Sequence, residues 1–181
     1  MPFLRGARRE KIIRMETATH TMSSPGNLLD DSRVSDEGHV SDERQIGRII
    51  EAFFAAFTSG PHSASRLEVL RSLFHPAAVI ARTCGLEPVL LGVDDFIAPR
   101  ARLLSSGGLV RFREWELRGR VQVFGDLAVY VGSYAKAGVQ DGLPFEGRGL
   151  KTMHLIRTAD GWRISAAAWD DEREGVHLPA D

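Results

Sequence analysis

Removing a proton beside a carbonyl needs a carboxylate or imidazole in apolar surroundings, and a donor for the oxygen that becomes charged. Few residues of this sequence can supply those groups from a defined position. Asp170 ends the run from Trp162 to Asp171, whose alternation puts Trp162, Ile164, Ala166, Ala168 and Asp170 on one strand face. Arg163, Ser165, Ala167, Trp169 and Asp171 fall on the other. If the first face lines a pocket, Asp170 is the leading candidate base; at a solvated strand end beside Asp171 and Glu172 it is a surface carboxylate. His154, within Lys151-Thr152-Met153-His154-Leu155-Ile156, is the second acid/base candidate, and pairing across Asp160-Gly161 brings it toward the last strand. Its alternative is a hydrogen-bonded packing residue. Tyr130 is the candidate orienting donor and shares a strand face with Tyr134; both can equally be core aromatics with satisfied hydroxyls.

The candidate substrate contacts are His75, Arg82, Tyr134 and Trp115. His75 follows an expected helix and can equally cap it, with Pro76 as punctuation. Arg82 can hold a substrate carboxylate or pair with a nearby acid. Cys84 has no histidine partner recognisable in the sequence, which argues against a nucleophilic role. The six histidines form no HExxH pattern and no carboxylate spacing resembles a calcium loop, so no metal is expected, and no cofactor.

The elements that must position these groups read clearly from residue 41 onward. Ser41 or Asp42 is the expected N-cap of a first helix carrying Ile46, Ile49, Ile50, Phe53, Phe54 and Phe57 at helical spacing and stopped by Gly60-Pro61. A shorter helix is expected over residues 63–74. A small hairpin from 78–83 and 88–91 follows, then a third helix from Asp94 to about Leu104. Four long β-rich segments come last, over 109–124, 127–140, 145–158 and 162–171, separated by Gly125-Asp126, Asp141-Gly142-Leu143-Pro144 and Ala159-Asp160-Gly161. They read as an antiparallel meander. Its first strand alternates Arg111, Arg113, Glu114, Glu116, Arg118 and Arg120 with Phe112, Trp115, Leu117 and Val121, a charge ladder expected on a solvated or dimer-forming face.

Composition bounds the partners. The chain has 181 residues, 43% hydrophobic and 26% charged, enough for one ordinary domain and an extension. A formal net charge of −1 gives no concentrated basic face, so neither nucleic acid nor an anionic membrane is expected as partner. One cysteine excludes an intrachain disulfide and suits a cytoplasmic protein. No apolar run approaches a membrane span of roughly 20 residues. Residues 1–40 are expected to be a disordered leader, with Met15 or Met22 as the natural start, and residues 174–181 a loose tail.

Four segments carry a family resemblance: Leu73-Phe74-His75-Pro76-Ala77-Ala78-Val79-Ile80, Gly92-Val93-Asp94-Asp95-Phe96-Ile97, Gly125-Asp126-Leu127-Ala128-Val129 and Asp160-Gly161-Trp162-Arg163-Ile164. With the order of elements, they resemble the nuclear transport factor 2-like superfamily, and within it the SnoaL-like and uncharacterised small bacterial members. The resemblance covers about residues 42–172. It implies an α+β, cystatin-like fold in which a cone-shaped, curved antiparallel sheet wraps around three N-terminal helices. It also implies a pocket for a small hydrophobic molecule, commonly with a homodimer through the outer sheet face. Polyketide cyclases, ketosteroid isomerase, scytalone dehydratase and epoxide hydrolases share that fold with non-catalytic binding domains, so fold does not choose function. The aspartate pattern of ketosteroid isomerase is not recognisable here, where Ala77-Ala78-Val79 stands in the early strand. The expectation is a cofactor-independent cyclase, isomerase or dehydratase acting on a hydrophobic carbonyl compound, or else a non-catalytic dimeric domain that binds a ligand or a protein.

Overall fold

A computed structural model describes residues 31–179. Helix α1 (Asp31–Ala55) is followed by α2 (Ser63–Leu73), strands β1 (Phe74–Arg82) and β2 (Val89–Leu91), and helix α3 (Val93–Ser105). Strands β3 (Leu109–Phe124), β4 (Leu127–Gln140), β5 (Leu143–Thr158) and β6 (Gly161–Asp171) then complete the chain order. The helix begins ten residues before the expected cap, so part of the expected leader is helical. Once the apolar half of α1 is nucleated, extending it through polar residues costs far less than starting a new helix. Asp42 consequently lies inside the helix and does different work. Its carboxylate accepts a hydrogen bond from Trp162 Nε1 at 3.2 Å and pairs with Arg157, tying α1 to the β5–β6 hairpin. The basic segment before residue 31 and both candidate start methionines lie outside the described residues.

The six strands form one sheet in the order β2-β1-β6-β5-β4-β3. Most neighbours run antiparallel as expected, but β1 pairs with β6 in parallel, so the sheet is mixed. A parallel pair needs a long crossover, and here the whole segment through α3 and the meander provides it. The sheet is open, with β2 and β3 as its edges. Two helices precede the sheet and the third lies between β2 and β3, which corrects the expectation of three N-terminal helices. After β6, Arg173 and Val176 exchange backbone hydrogen bonds, and Leu178 N donates to Glu172 Oε1 at 2.8 Å.

All three helices cover one sheet face. Ile46, Ile50, Phe53 and Phe54 of α1, Leu67 and Leu70 of α2, and Phe96 and Ile97 of α3 form a single core with Ile80, Tyr130, Met153, Leu155, Trp162 and Ile164 of the sheet. Among the described residues no helix is long and apolar enough to cross a membrane.

Register shifts in β6 and β3 set which side chains reach this inner face, β3 shifting first between Val110 and Arg113, so that both Leu109 and Phe112 face inward. In β6, Leu155 of β5 pairs with Ile164 while His154 pairs with Ala166, leaving Ser165 as an extra residue. A bulge inverts the alternation beyond it. Trp162 and Ile164 therefore point inward, and after Ser165 it is Ala167, Trp169 and Asp171 that do so. In β3, Glu116 pairs with Tyr134 and Arg118 with Ser133, leaving Leu117 extra. Phe112, Glu114 and Glu116 face inward before it, and Gly119, Val121 and Val123 after it. The expected charge ladder is thus divided: its acids turn toward the core and Arg113, Arg118 and Arg120 turn away.

Candidate functional site

Where α3 crosses the far end of the inner sheet face, the core opens into a cavity of about 470 Å³. Its apolar walls come from Phe57 after α1, Phe96, Pro99, Leu103 and Leu104 of α3, Leu109 and Phe112 of β3, Phe145 of β5 and Trp169 of β6. Six charged side chains line it as well: Arg82, Arg100, Lys136, Lys151, Glu114 and Asp171. A site of this size, mostly apolar with a few converging polar groups, suits a small organic ligand.

Two ion pairs are built into the walls. Lys151 is 3% exposed and pairs with Glu114, which is held by its own backbone N–H donating to Phe57 O at 3.1 Å. The Lys151 ammonium is ringed by aromatic faces, with Nζ 4.5 Å from the Tyr134 centroid, 4.6 Å from Phe53 and 5.0 Å from Phe54. Burial pushes its pKa down and the Glu114 carboxylate opposes that. In the second pair Lys136 Nζ donates to Asp171 Oδ2 at 2.7 Å, and Tyr134 Oη donates to Asp171 Oδ1 at 2.5 Å. Burial raises the Asp171 pKa, but the bonds from Lys136 and Tyr134 outweigh it and leave the carboxyl below its ordinary value. The Tyr134 hydroxyl is pushed well up by burial and by that same bond, so it stays protonated.

Arg100 lies on α3 with its guanidinium 3.7 Å above the Phe96 ring and 5.5 Å from Trp169. Its Nη1 donates to Phe96 O at 2.6 Å. Burial lowers its pKa to about 10, with the Arg82 charge adding to the effect against Glu114. Cys84 sits at the rim in a left-handed conformation, φ 45°, which a non-glycine residue adopts at a cost. Burial and the Asp171 charge push its thiol pKa up.

Of the seven residues expected at the site, only Arg82 lines this cavity. Asp170 points to the other side, where Arg173 Nη1 donates to its Oδ1 at 2.6 Å and holds its carboxyl below the usual value. His154 is exposed on the outer face, because Met153 and Leu155 take the inward positions. Tyr130 is buried in the core with its hydroxyl donating to Glu116 Oε1 at 2.9 Å, away from the cavity. Tyr134 does not line the cavity and meets it through two lining groups, Asp171 at its hydroxyl and Lys151 over its ring. His75 belongs to β1 and accepts a hydrogen bond at Nδ1 from Ala77 N, 3.2 Å. Trp115 faces outward under Arg113, whose guanidinium lies 4.4 Å from its centroid. The residues the alternation missed are Asp171, Lys136, Lys151, Glu114 and Arg100. One signal for Asp171 was present: Trp162 and Trp169 stand an odd number of residues apart, so both can face a core only if a bulge lies between them.

No protein-family model matches the sequence, and no curated protein is significantly similar to it. Solved structures do match, 307 chains in all, so the architecture is widely shared. A nuclear transport factor 2-like superfamily protein from Salmonella enterica superposes with a TM-score of 0.63 at 13% identity, over 78% of this chain and 99% of that one. An NTF2-like protein with a cystatin-like fold from Novosphingobium aromaticivorans gives 0.60 at 18% identity, over 80% and 92%. A Streptomyces avermitilis protein described provisionally as a dehydratase of the NTF2-like family gives 0.58 at 20% identity, over 74% and 97%. Identities this low speak for architecture alone, and on that ground, together with the open six-stranded sheet and its three covering helices, the chain has the fold of the nuclear transport factor 2-like superfamily.

Proposed function

We propose that this chain is a SnoaL-like small-molecule-binding protein whose cavity performs cofactor-independent proton transfer on a largely apolar carbonyl compound, in the manner of an isomerase, cyclase or dehydratase. The observation that carries this reading is the convergence of Asp171, Lys136 and the Lys151–Glu114 pair on a cavity of about 470 Å³ with aromatic walls. In this reading Asp171, ionised at neutral pH, accepts the proton from the carbon beside the carbonyl. A lysine ammonium in the wall donates a hydrogen bond to the oxygen as charge builds on it, where low surrounding polarity strengthens the interaction. Tyr134 holds the base in place as a positioning residue. The provisional description of the Streptomyces relative as a dehydratase is compatible with that chemistry. So is a non-catalytic ligand-binding domain, and the two separate by experiment. Carbonyl compounds that raise the melting temperature are to be incubated with the protein in D2O and followed by proton NMR. Exchange beside the carbonyl that disappears in Asp171→Asn, with binding retained, supports catalysis. Binding without exchange leaves a binder, and no ligand-dependent shift with any compound rejects the cavity as a site.

The outer sheet face is the proposed surface for a homodimer. Leu117 and Val129 are exposed on the two adjacent strands β3 and β4, and Trp115 points the same way. Light scattering coupled to gel filtration, read against the chain mass, tests it.

A further inference from the structure

The charged groups of the cavity do not balance. Four cations, Arg82, Arg100, Lys136 and Lys151, face two carboxylates, Glu114 and Asp171. Both carboxylates are already engaged, Glu114 by Lys151 and Asp171 by Lys136 and Tyr134. Among the described residues neither Arg82 nor Arg100 has a carboxylate within ion-pair distance. Arg100 is the informative one. Its guanidinium is sandwiched against Phe96 near Trp169, and its one hydrogen bond goes to Phe96 O, although the group has five N–H donors. Removing a cation from water without a partner is costly, and a second positive charge nearby, Arg82, raises that cost. Such a pair is a poor way to stabilise a fold and a good way to hold an anion.

We propose that the ligand of this cavity is an organic carboxylate with an aromatic or aliphatic body, its carboxylate held between Arg82 at the rim and Arg100 in the wall. A planar carboxylate matches the fork of donors on a guanidinium and can be gripped by two at once. The apolar body then lies against Phe57, Leu104, Phe112 and Phe145. Aromatic stacking fixes Arg100 before the ligand arrives, so little freedom is lost on binding. In an acid that also carries a ketone, this grip would set which carbon is presented to Asp171. The proposal rests on the reading of the cavity as a ligand site and narrows its substrate class.

The test compares neutral and anionic forms of one body. Phenylbutyrate and phenylbutyramide, and naphthaleneacetate and naphthaleneacetamide, are titrated into the full chain by calorimetry at neutral pH and low salt. The same titrations follow in Arg82→Gln, Arg100→Gln and Arg100→Lys, each checked for its fold by circular dichroism. The expected result is carboxylate binding at least about tenfold tighter than amide binding. That preference should weaken with added salt and be lost in both Gln variants, while amide binding changes little. If Arg100→Gln fails to fold, Arg82→Gln and the charge-retaining Arg100→Lys carry the comparison, the latter expected to keep part of the preference. Equal binding of acid and amide, or a preference that survives loss of the arginines, overturns the carboxylate site and leaves the cavity standing. Failure of both acid and amide to bind overturns the cavity reading itself, and the proposal with it.

Discussion

The Lys151–Glu114 pair offers the sharpest test of how this interior is built. The two side chains are 4% and 10% exposed, so neither charge can turn to water if its partner is removed. Lys151→Met keeps the length and the apolar stem of the lysine but strands the Glu114 carboxylate among aromatic rings. Breaking a buried pair from one side costs about 3–5 kcal/mol. For a chain of this size that corresponds to a fall in melting temperature of roughly 6–20 °C. Removing both charges is a different perturbation, since it also removes the need to desolvate them. The double variant Glu114→Leu with Lys151→Met should therefore fall within about 1–2 kcal/mol of the wild type. Urea unfolding followed by tryptophan fluorescence measures the wild type, the singles Lys151→Met and Glu114→Leu, and the double, because Trp169 lies 5.7 Å from the Lys151 ammonium and reports on the site directly. Two results would refute the reasoning: a single variant that costs less than about 1 kcal/mol, or a double variant whose cost is the sum of the singles. A stable double variant that no longer binds ligand would show that the pair is kept for what it does to the cavity.

Three further outcomes follow from the same geometry. The Asp171 carboxyl titrates below its ordinary value in the folded chain, so its stabilisation is complete above the unfolded value of about 4 and is lost as pH falls through the folded one. The stability gap between wild type and Asp171→Asn should accordingly be constant near neutrality and close only below about pH 4 in acid titrations; a gap that closes nearer neutrality contradicts this. In Gly149→Ala the new methyl would stand 2.3 Å from Asp170 O and 2.7 Å from Tyr134 Oη, forcing β5 and β6 apart just where Asp171 is held. A loss of at least about 1–3 kcal/mol is expected in thermal unfolding, together with loss of ligand binding. The Cys84 thiol, pushed up by burial and by the Asp171 charge, should be alkylated slowly by iodoacetamide at neutral pH and faster in Asp171→Asn; an unchanged rate would remove Asp171 from its surroundings.

The arrangement of elements was largely legible because each part of it is written locally. The apolar stripe of α1, the Gly and Asp turns and the β-rich runs place β3 and β4 over the expected residues and the other elements, the start of α1 excepted, within a few. The parallel pairing of β1 with β6 was not, since it joins segments far apart in the chain and leaves no local mark. The site was mostly illegible for one physical reason. Alternation assigns faces correctly only while a strand stays in phase, and along the stretches that carry the site the pairing of β3 with β4 shifts twice and that of β6 with β5 once. Asp170 was read as inward on the phase set by Trp162 and Ile164, and Ser165 hands that position to Asp171 instead. Glu114 and Glu116 were read as part of an exposed ladder because the arginines around them are exposed. Arg82 does line the cavity, since β1, from Val79 to Arg82, keeps its register with β6. Arg100 was hidden differently, as one more charged residue on a helix with an apolar stripe.

Ser165 and Leu117 also bear on how such a chamber tolerates changes in chain length. Each is the extra residue of a bulge, with no partner of its own on the neighbouring strand. Loss of Ser165 would make Ile164 and Ala166 consecutive, opposite the consecutive Leu155 and His154, and leave Trp169 and Asp171 facing the interior. Loss of Leu117 would likewise keep Gly119, Val121 and Val123 on the inner face. At these two positions a one-residue deletion is therefore a mild step, after which the hydrogen-bonded ladder closes up with the wall groups beyond it in place, whereas a deletion at a paired position further along either strand would exchange the two faces.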